Sequence, residues 1–89
     1  MEFRHLRCFV VLAEELHFGR AAQRLAMTQP PLTMAIQQLE ASVGARLFLR
    51  NSRGVQLTEA GQAFVPSARA LLEQAQQKRR TPEVVAPVW

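Results

Sequence analysis

Apolar residues recur at helical spacing in four stretches of the chain. In the first, roughly Arg4–Leu16, the residues Leu6, Phe9, Val10, Ala13 and Leu16 form one stripe, while Cys8, Val11 and Leu12 fall on the opposite side. A helix with two apolar faces needs a second layer or a second chain to cover it. The second stretch, roughly Gly19–Ala26, turns Ala21, Ala22 and Leu25 inward, with Gly19 as the expected N-cap. A tight connection at Ala26–Met27–Thr28 leads into TQPPLTMAIQQLE, whose Leu32, Ile36 and Leu39 share one face.

Two adjacent prolines open that third helix. The first backbone N–H groups of a helix have no partner inside it, so proline loses nothing there and its fixed φ suits entry. The spacing therefore predicts a helix from Gln29 or Pro30 to about Val43, with Gly44 as its stop. Beyond it, Leu47–Arg50 and Val55–Leu57 read as short strands. Asn51–Ser52–Arg53–Gly54 between them has turn residues, which makes a two-stranded hairpin with an arginine at its tip.

Thr58 is the expected cap of a long last helix, with Glu59 favourable at its positive end. Phe64, Ala68, Leu71 and Ala75, preceded by Ala60, form a narrow seam along it. Pro66 should remove one hydrogen bond and bend it, and Thr81–Pro82 reads as its stop. From Thr58 to Arg80 such a helix would span roughly 35 Å at 1.5 Å per residue. That is longer than the rest of the domain needs as cover. The excess seam, with the Cys8, Val11 and Leu12 face of the first helix, predicts a homodimer interface; a monomer with the long helix folded back is the alternative. The organisation expected is therefore residues 1–58 as a domain, 59–80 as a linker and dimerisation helix, and 81–89 as a tail or the start of a hinge.

Charge sharpens this picture. Residues 1–40 balance Arg4, Arg7, Arg20 and Arg24 against Glu2, Glu14, Glu15 and Glu40. Residues 41–58 carry Arg46, Arg50 and Arg53 and no acid, and the chain has no aspartate. An unbalanced basic segment is the footprint of a polyanion partner. Two helices, a tight turn, a third helix and a basic hairpin make a mostly α fold, a winged helix-turn-helix. In such a motif the helix after the turn enters the major groove with its N-terminal residues on base edges. Gln29, Thr33, Met34 and Gln37 lie opposite Leu32, Ile36 and Leu39, so they are the candidate readers. Glutamine suits the N6/N7 edge of adenine, and methionine the thymine methyl.

Other chemistry is poorly served. His5 and Cys8 are three apart on the first helix, but Cys8 lies in the apolar run Cys8–Ala13, and no third group or oxyanion site accompanies them. His17 has no metal-ligand companion at useful spacing, and no glycine loop could cradle a phosphate. Neither catalysis nor a metal is expected. One free thiol and an apolar run far short of the roughly 18 residues of a membrane span fit a soluble, cytoplasmic protein.

The stretch RAAQRLAMTQPPLTMAIQQLEASVGARLFLRNSRGVQLTEAGQAF resembles the signature of LysR-type transcriptional regulators, and the resemblance runs from MEFRHLRCFVVLAEELHF to about Leu72. Its pieces are specific in combination: Arg20–Ala21–Ala22, Thr28–Gln29–Pro30–Pro31–Leu32–Thr33, Leu39–Glu40, Gly44, Leu47–Phe48, Arg50, Arg53 and Leu57–Thr58–Glu59–Ala60–Gly61. The resemblance implies a winged helix-turn-helix, a dimerising linker helix and a C-terminal effector-binding domain. It assigns Gln29, Pro30, Pro31 and Thr33 to the DNA-contacting start of the recognition helix and Arg53 to the wing. Two places depart from the family pattern: Met34 stands where a basic or long polar residue is common, and Gly19 where a serine or threonine is common.

The expected DNA-contacting set is thus Gln29, Pro30, Pro31, Thr33, Met34, Gln37, Arg50 and Arg53. The expected dimer set is Cys8, Val11, Leu12, Phe64, Ala68, Leu71 and Ala75. Residues after Arg80 are too few to bury a second core, so no cofactor is expected in this segment. A small-molecule effector would belong to a further domain. The partners expected are double-stranded DNA, read as an interrupted inverted repeat, and a second copy of the chain. A winged helix can also dock on protein, and fold alone does not decide between the two.

Overall fold

The computed structural model describes the backbone of residues 2–85 and the side chains of residues 2–75. The elements run α1 (Phe3–Glu15), α2 (Phe18–Arg24), α3 (Gln29–Val43), β1 (Phe48–Asn51), β2 (Gly54–Leu57) and α4 (Glu59–Val85). The expected winged helix-turn-helix with a long final helix is the fold observed.

α1 lies at the centre. On one side, Phe9 meets Phe48 of β1 and Phe64 of α4, with ring centroids 5.4 and 5.2 Å apart. On the other, Cys8 faces Pro31 and Ala35 of α3. Phe9, Leu12, Leu32, Leu39 and Leu47 are the largest fully buried side chains of the core. The two apolar faces of α1 are therefore both covered by the chain's own layers. Cys8, Val11 and Leu12 are 6%, 8% and 0% exposed, and Ala68 is 0% exposed. Within the single chain these four are covered, because the first half of α4 packs over one face of α1 while α2 and α3 take the other. Phe64 is half-buried on Phe9. Of the expected seam, Leu71 is left exposed and Ala75 partly so.

Most boundaries follow local chemistry. α3 opens on Pro30 and Pro31 and ends at Gly44, whose φ of 75° is the left-handed stop that glycine adopts freely. Thr58 Oγ1 accepts from the Gly61 N–H at 2.9 Å and so caps α4. At α2 the cap is His17 rather than Gly19: the imidazole Nδ1 accepts from the Arg20 N–H at 3.0 Å, and the helix starts at Phe18. A side-chain acceptor satisfies a free N–H that glycine at this place could not. α4 also continues through Pro66 and past Thr81–Pro82 to Val85. A proline deletes one bond of the ladder, and the helix closes again after it. The tail reading for residues 86–89 lies outside the described residues.

The hairpin is antiparallel, pairing Phe48 with Leu57, Leu49 with Gln56, Arg50 with Val55 and Asn51 with Gly54. Its first strand starts at Phe48 rather than Leu47, whose N–H is turned away from the ladder although its carbonyl still bonds across to Thr58. The Leu47 N–H donates to Glu40 Oε2 at 2.7 Å, and its carbonyl accepts from the Thr58 N–H at 3.0 Å. No helix among the described residues is long and apolar enough to cross a membrane.

Candidate nucleic-acid interface

The α2–α3 turn sets how α3 is presented. Met27 N–H donates to the Ala22 carbonyl at 2.9 Å and Ala26 N–H to the Gln23 carbonyl at 3.1 Å. That is a Schellman stop, with Ala26 in the left-handed position at φ 55°. It reverses the chain within three residues, so α3 starts beside the N-terminal end of α2. A shallow groove there is lined by His17, Gly19, Arg20, Thr28, Gln29 and Pro30.

α3 is sharply two-sided. Leu32, Ala35, Ile36 and Leu39 are buried. Gln29, Pro30, Pro31, Met34 and Gln37 are exposed, with Thr33 half-buried between them. The candidate readers thus stand together on the solvent side, and Met34 is 57% exposed. Pro30 and Pro31 have no N–H, so Gln29 carries the only backbone donor among these three opening residues. The first turn holds no acid.

The wing places Arg53 in its two-residue turn, where the Arg53 N–H donates to Asn51 Oδ1 at 2.9 Å. Arg50, on β1, lays its guanidinium over the Phe18 ring, 4.5 Å from the centroid. This contact ties the wing to the start of α2 and leaves the edge of the guanidinium free to donate. Arg50 and Arg53 have no carboxylate within salt-bridge distance among the described residues. Arg20, Arg24 and Arg69 are occupied instead. Arg24 meets Glu14 at 2.8 Å and Glu15 at 3.1 Å, Arg20 meets Glu15 at 3.3 Å, and Arg69 meets Glu14 at 3.2 Å. Hydrogen bonds to Glu14 and then Glu15 hold the Arg24 guanidinium above its ordinary pKa. Arg50 and Arg53 thus leave uncompensated positive charge on the wing, as the acid-free segment 41–58 predicts.

One positioning residue is not among the expected set. The Glu40 carboxylate accepts from the N–H groups of Leu47 and Phe48 at 2.7 and 3.3 Å, with Arg46 Nε 3.8 Å away. It fixes the end of α3 to the start of the wing. A signal for it exists in the sequence: Glu40 is the sole acid of α3 and lies near the helix's negative end, where a carboxylate is disfavoured unless something else holds it.

Known proteins carry the same arrangement. The family model for bacterial regulatory helix-turn-helix proteins of the lysR family matches residues 3–62. The chain belongs to the LysR family. It is 57% identical over 72 residues to the uncharacterized HTH-type transcriptional regulator YnfL of Escherichia coli (strain K12), covering 81% of this chain and 24% of that protein. It is 50% identical over 86 residues to the HTH-type transcriptional regulator TfdT of Cupriavidus pinatubonensis (strain JMP 134 / LMG 1197), covering 97% of this chain and 38% of the relative. It therefore spans well under half the length of these curated relatives. Among solved structures, the crystal structure of the CbnR_DBD–DNA complex superposes with a TM-score of 0.90 at 43% identity, covering 97% of this chain and 99% of that one.

Proposed function

We propose that this segment binds double-stranded DNA sequence-specifically as the N-terminal part of a bacterial, cytoplasmic transcriptional regulator. The recognition helix, residues 29–43, enters the major groove, and the wing, residues 47–57, lies on the backbone or in the minor groove. The observation that carries this reading is the outward face of α3. It holds Gln29, Thr33, Met34 and Gln37 with no acid among them, next to a wing whose Arg50 and Arg53 lack carboxylate partners among the described residues. The likeness to the CbnR_DBD–DNA complex supports it.

In this reading Gln29, Thr33 and Gln37 make polar contacts to base edges. Pro30 and Pro31 offer a compact apolar edge to deoxyribose and thymine methyls, and Met34 adds apolar readout. Two copies joined through the exposed flank of α4 at Leu71 and Ala75 would read an interrupted inverted repeat, with half-sites about one helical turn or a multiple apart. Effector binding belongs to the rest of the regulator.

Selection of duplexes from a random pool tests the proposal. The expected result is an enriched inverted repeat, with affinity that falls steeply as salt rises because phosphate contacts release counterions. Arg53→Ala should weaken binding to all sequences and lower the salt slope by about one unit per site. No enrichment together with a flat salt dependence would instead favour a protein-interaction or dimerisation module without DNA readout.

A further inference from the structure

Alongside the core, α1 and α3 leave an open cleft of about 460 Å³ at the outward edge of α3. Arg4 and Arg7 line it from α1; Pro31, Met34 and Gln38 line it from α3, with Cys8 at its base. Among the described residues no carboxylate lines the cleft. Arg7 has no acid within salt-bridge distance among the described residues. Among the described residues Arg4 meets only Glu2, at 3.1 Å, with the two side chains 76% and 57% exposed. Such a solvated pair is worth little and is readily exchanged for another anion.

Two arginines beside a reading helix need an occupant of opposite charge. An α-helix with its side chains is about 10–12 Å across and nearly fills a major groove about 12 Å wide. Whatever flanks the outward edge of that helix therefore meets the phosphate strand at the groove's border. Met34 carries no charge and cannot hold that strand. Its thioether and the Pro31 ring do give the cleft an apolar wall along which an arginine stem can lie while its guanidinium reaches out.

We propose that Arg7, assisted by Arg4, binds the phosphate strand bordering the recognition helix, making α1 a third DNA-contacting element beside α3 and the wing. The proposal rests on the reading of α3 as a major-groove helix. It adds a contact that fixes register without adding base preference, since phosphate contacts carry no sequence information of their own.

The test compares the salt dependence of duplex affinity for the 89-residue chain with that of Arg7→Gln, the double variant Arg4→Gln/Arg7→Gln, Arg53→Ala and Arg69→Gln. Arg7→Gln should lower the slope by about 0.9 and the double variant by up to about twice that. Both should weaken binding equally on selected and random duplexes, with thermal melting and base preferences unchanged. Arg69→Gln, distant on α4 and paired with Glu14, should leave the slope as it is. An unchanged slope in the double variant overturns the proposal, as does an equal loss in Arg69→Gln, which would make the effect one of net charge. In either case, a steep parental slope that Arg53→Ala lowers leaves the proposed function standing. A parent chain with no salt-dependent duplex binding overturns both.

Discussion

Gly61 occupies the point where α4 passes closest to the wing, and Gly61→Ala should destabilise the fold although it sits in a helix. At an ordinary helical site the same exchange would stabilise by about 1 kcal/mol, because alanine restricts the unfolded chain and favours helix. Here a methyl group would collide with the Leu47 carbonyl oxygen and stand 2.9 Å from Leu57 Cδ2 and 3.1 Å from the Leu47 carbonyl carbon. Leu57 can rotate away. The Leu47 carbonyl cannot, since it accepts from the Thr58 N–H while the Leu47 N–H is held by Glu40. The methyl must therefore push α4 outward. That motion strains the Thr58 cap, worth about 1 kcal/mol, and adds an overpacking cost of about 1–3 kcal/mol. Set against the gain in helix propensity, the net loss is about 1–3 kcal/mol. For a domain of this size, that lowers the melting temperature by several degrees to roughly 20 °C. Thermal unfolding followed by circular dichroism reads it directly. An alanine variant that melts at or above the parent would refute the close-approach argument.

Other exchanges test other contacts. Glu40→Ala leaves two N–H groups of the wing without their acceptor and should cost about 1–3 kcal/mol, measured by urea unfolding; an unchanged midpoint would mean that water replaces the carboxylate. Ala26→Gly should stabilise the α2–α3 turn by up to about 1 kcal/mol, because glycine adopts the left-handed conformation without penalty, and calorimetry showing a lower melting temperature would contradict it. Leu71→Asp should leave the protomer folded and shift light scattering from dimer to monomer, an idea that a monomeric parent at high concentration would end. Burial raises the Cys8 thiol above its ordinary pKa, with Arg7 and Arg4 opposing more weakly. Its contribution to stability is then complete below the unfolded thiol value of about 8.5 and is lost as pH rises through the folded value. Stability measured across the alkaline range should fall more in the parent than in Cys8→Ala.

Sequence alone makes the elements legible where a residue has one structural use. Pro30–Pro31, Gly44 and Thr58 punctuate helices through missing or supplied hydrogen bonds, and the structure places those boundaries accordingly. The solvent face of α3 is equally readable, because Leu32, Ile36 and Leu39 fix the opposite side by period alone. The partner of an apolar face is a different matter. Cys8, Val11 and Leu12 announce a second buried face on α1, but periodicity does not say whether the same chain or another covers it. The answer depends on where α4 packs, a tertiary fact. His17 escapes notice as a cap because its acceptor is an imidazole nitrogen, and Glu40 because its partners are backbone groups seven and eight residues on.

Those backbone groups explain how reading and gripping can act as one unit. Leu47 is held from both sides: Glu40 at the end of α3 takes its N–H, and Thr58 at the start of α4 donates to its carbonyl. The Thr58 hydroxyl also donates to the Arg46 carbonyl at 2.6 Å. At the far end of the hairpin, Arg50 rests on Phe18 at the start of α2. The wing is thus fixed to the recognition helix, to the long helix and to the helix before the turn by contacts that need no DNA. An arginine on a hairpin free to swing would lose conformational entropy with each phosphate it met. Held this way, the backbone at Arg53 is fixed in advance, so in the proposed reading the cost of ordering the hairpin falls on folding rather than on association. In the proposed reading Gly61 and Glu40 therefore influence DNA binding through the same backbone segment, by holding the wing rather than by touching the duplex.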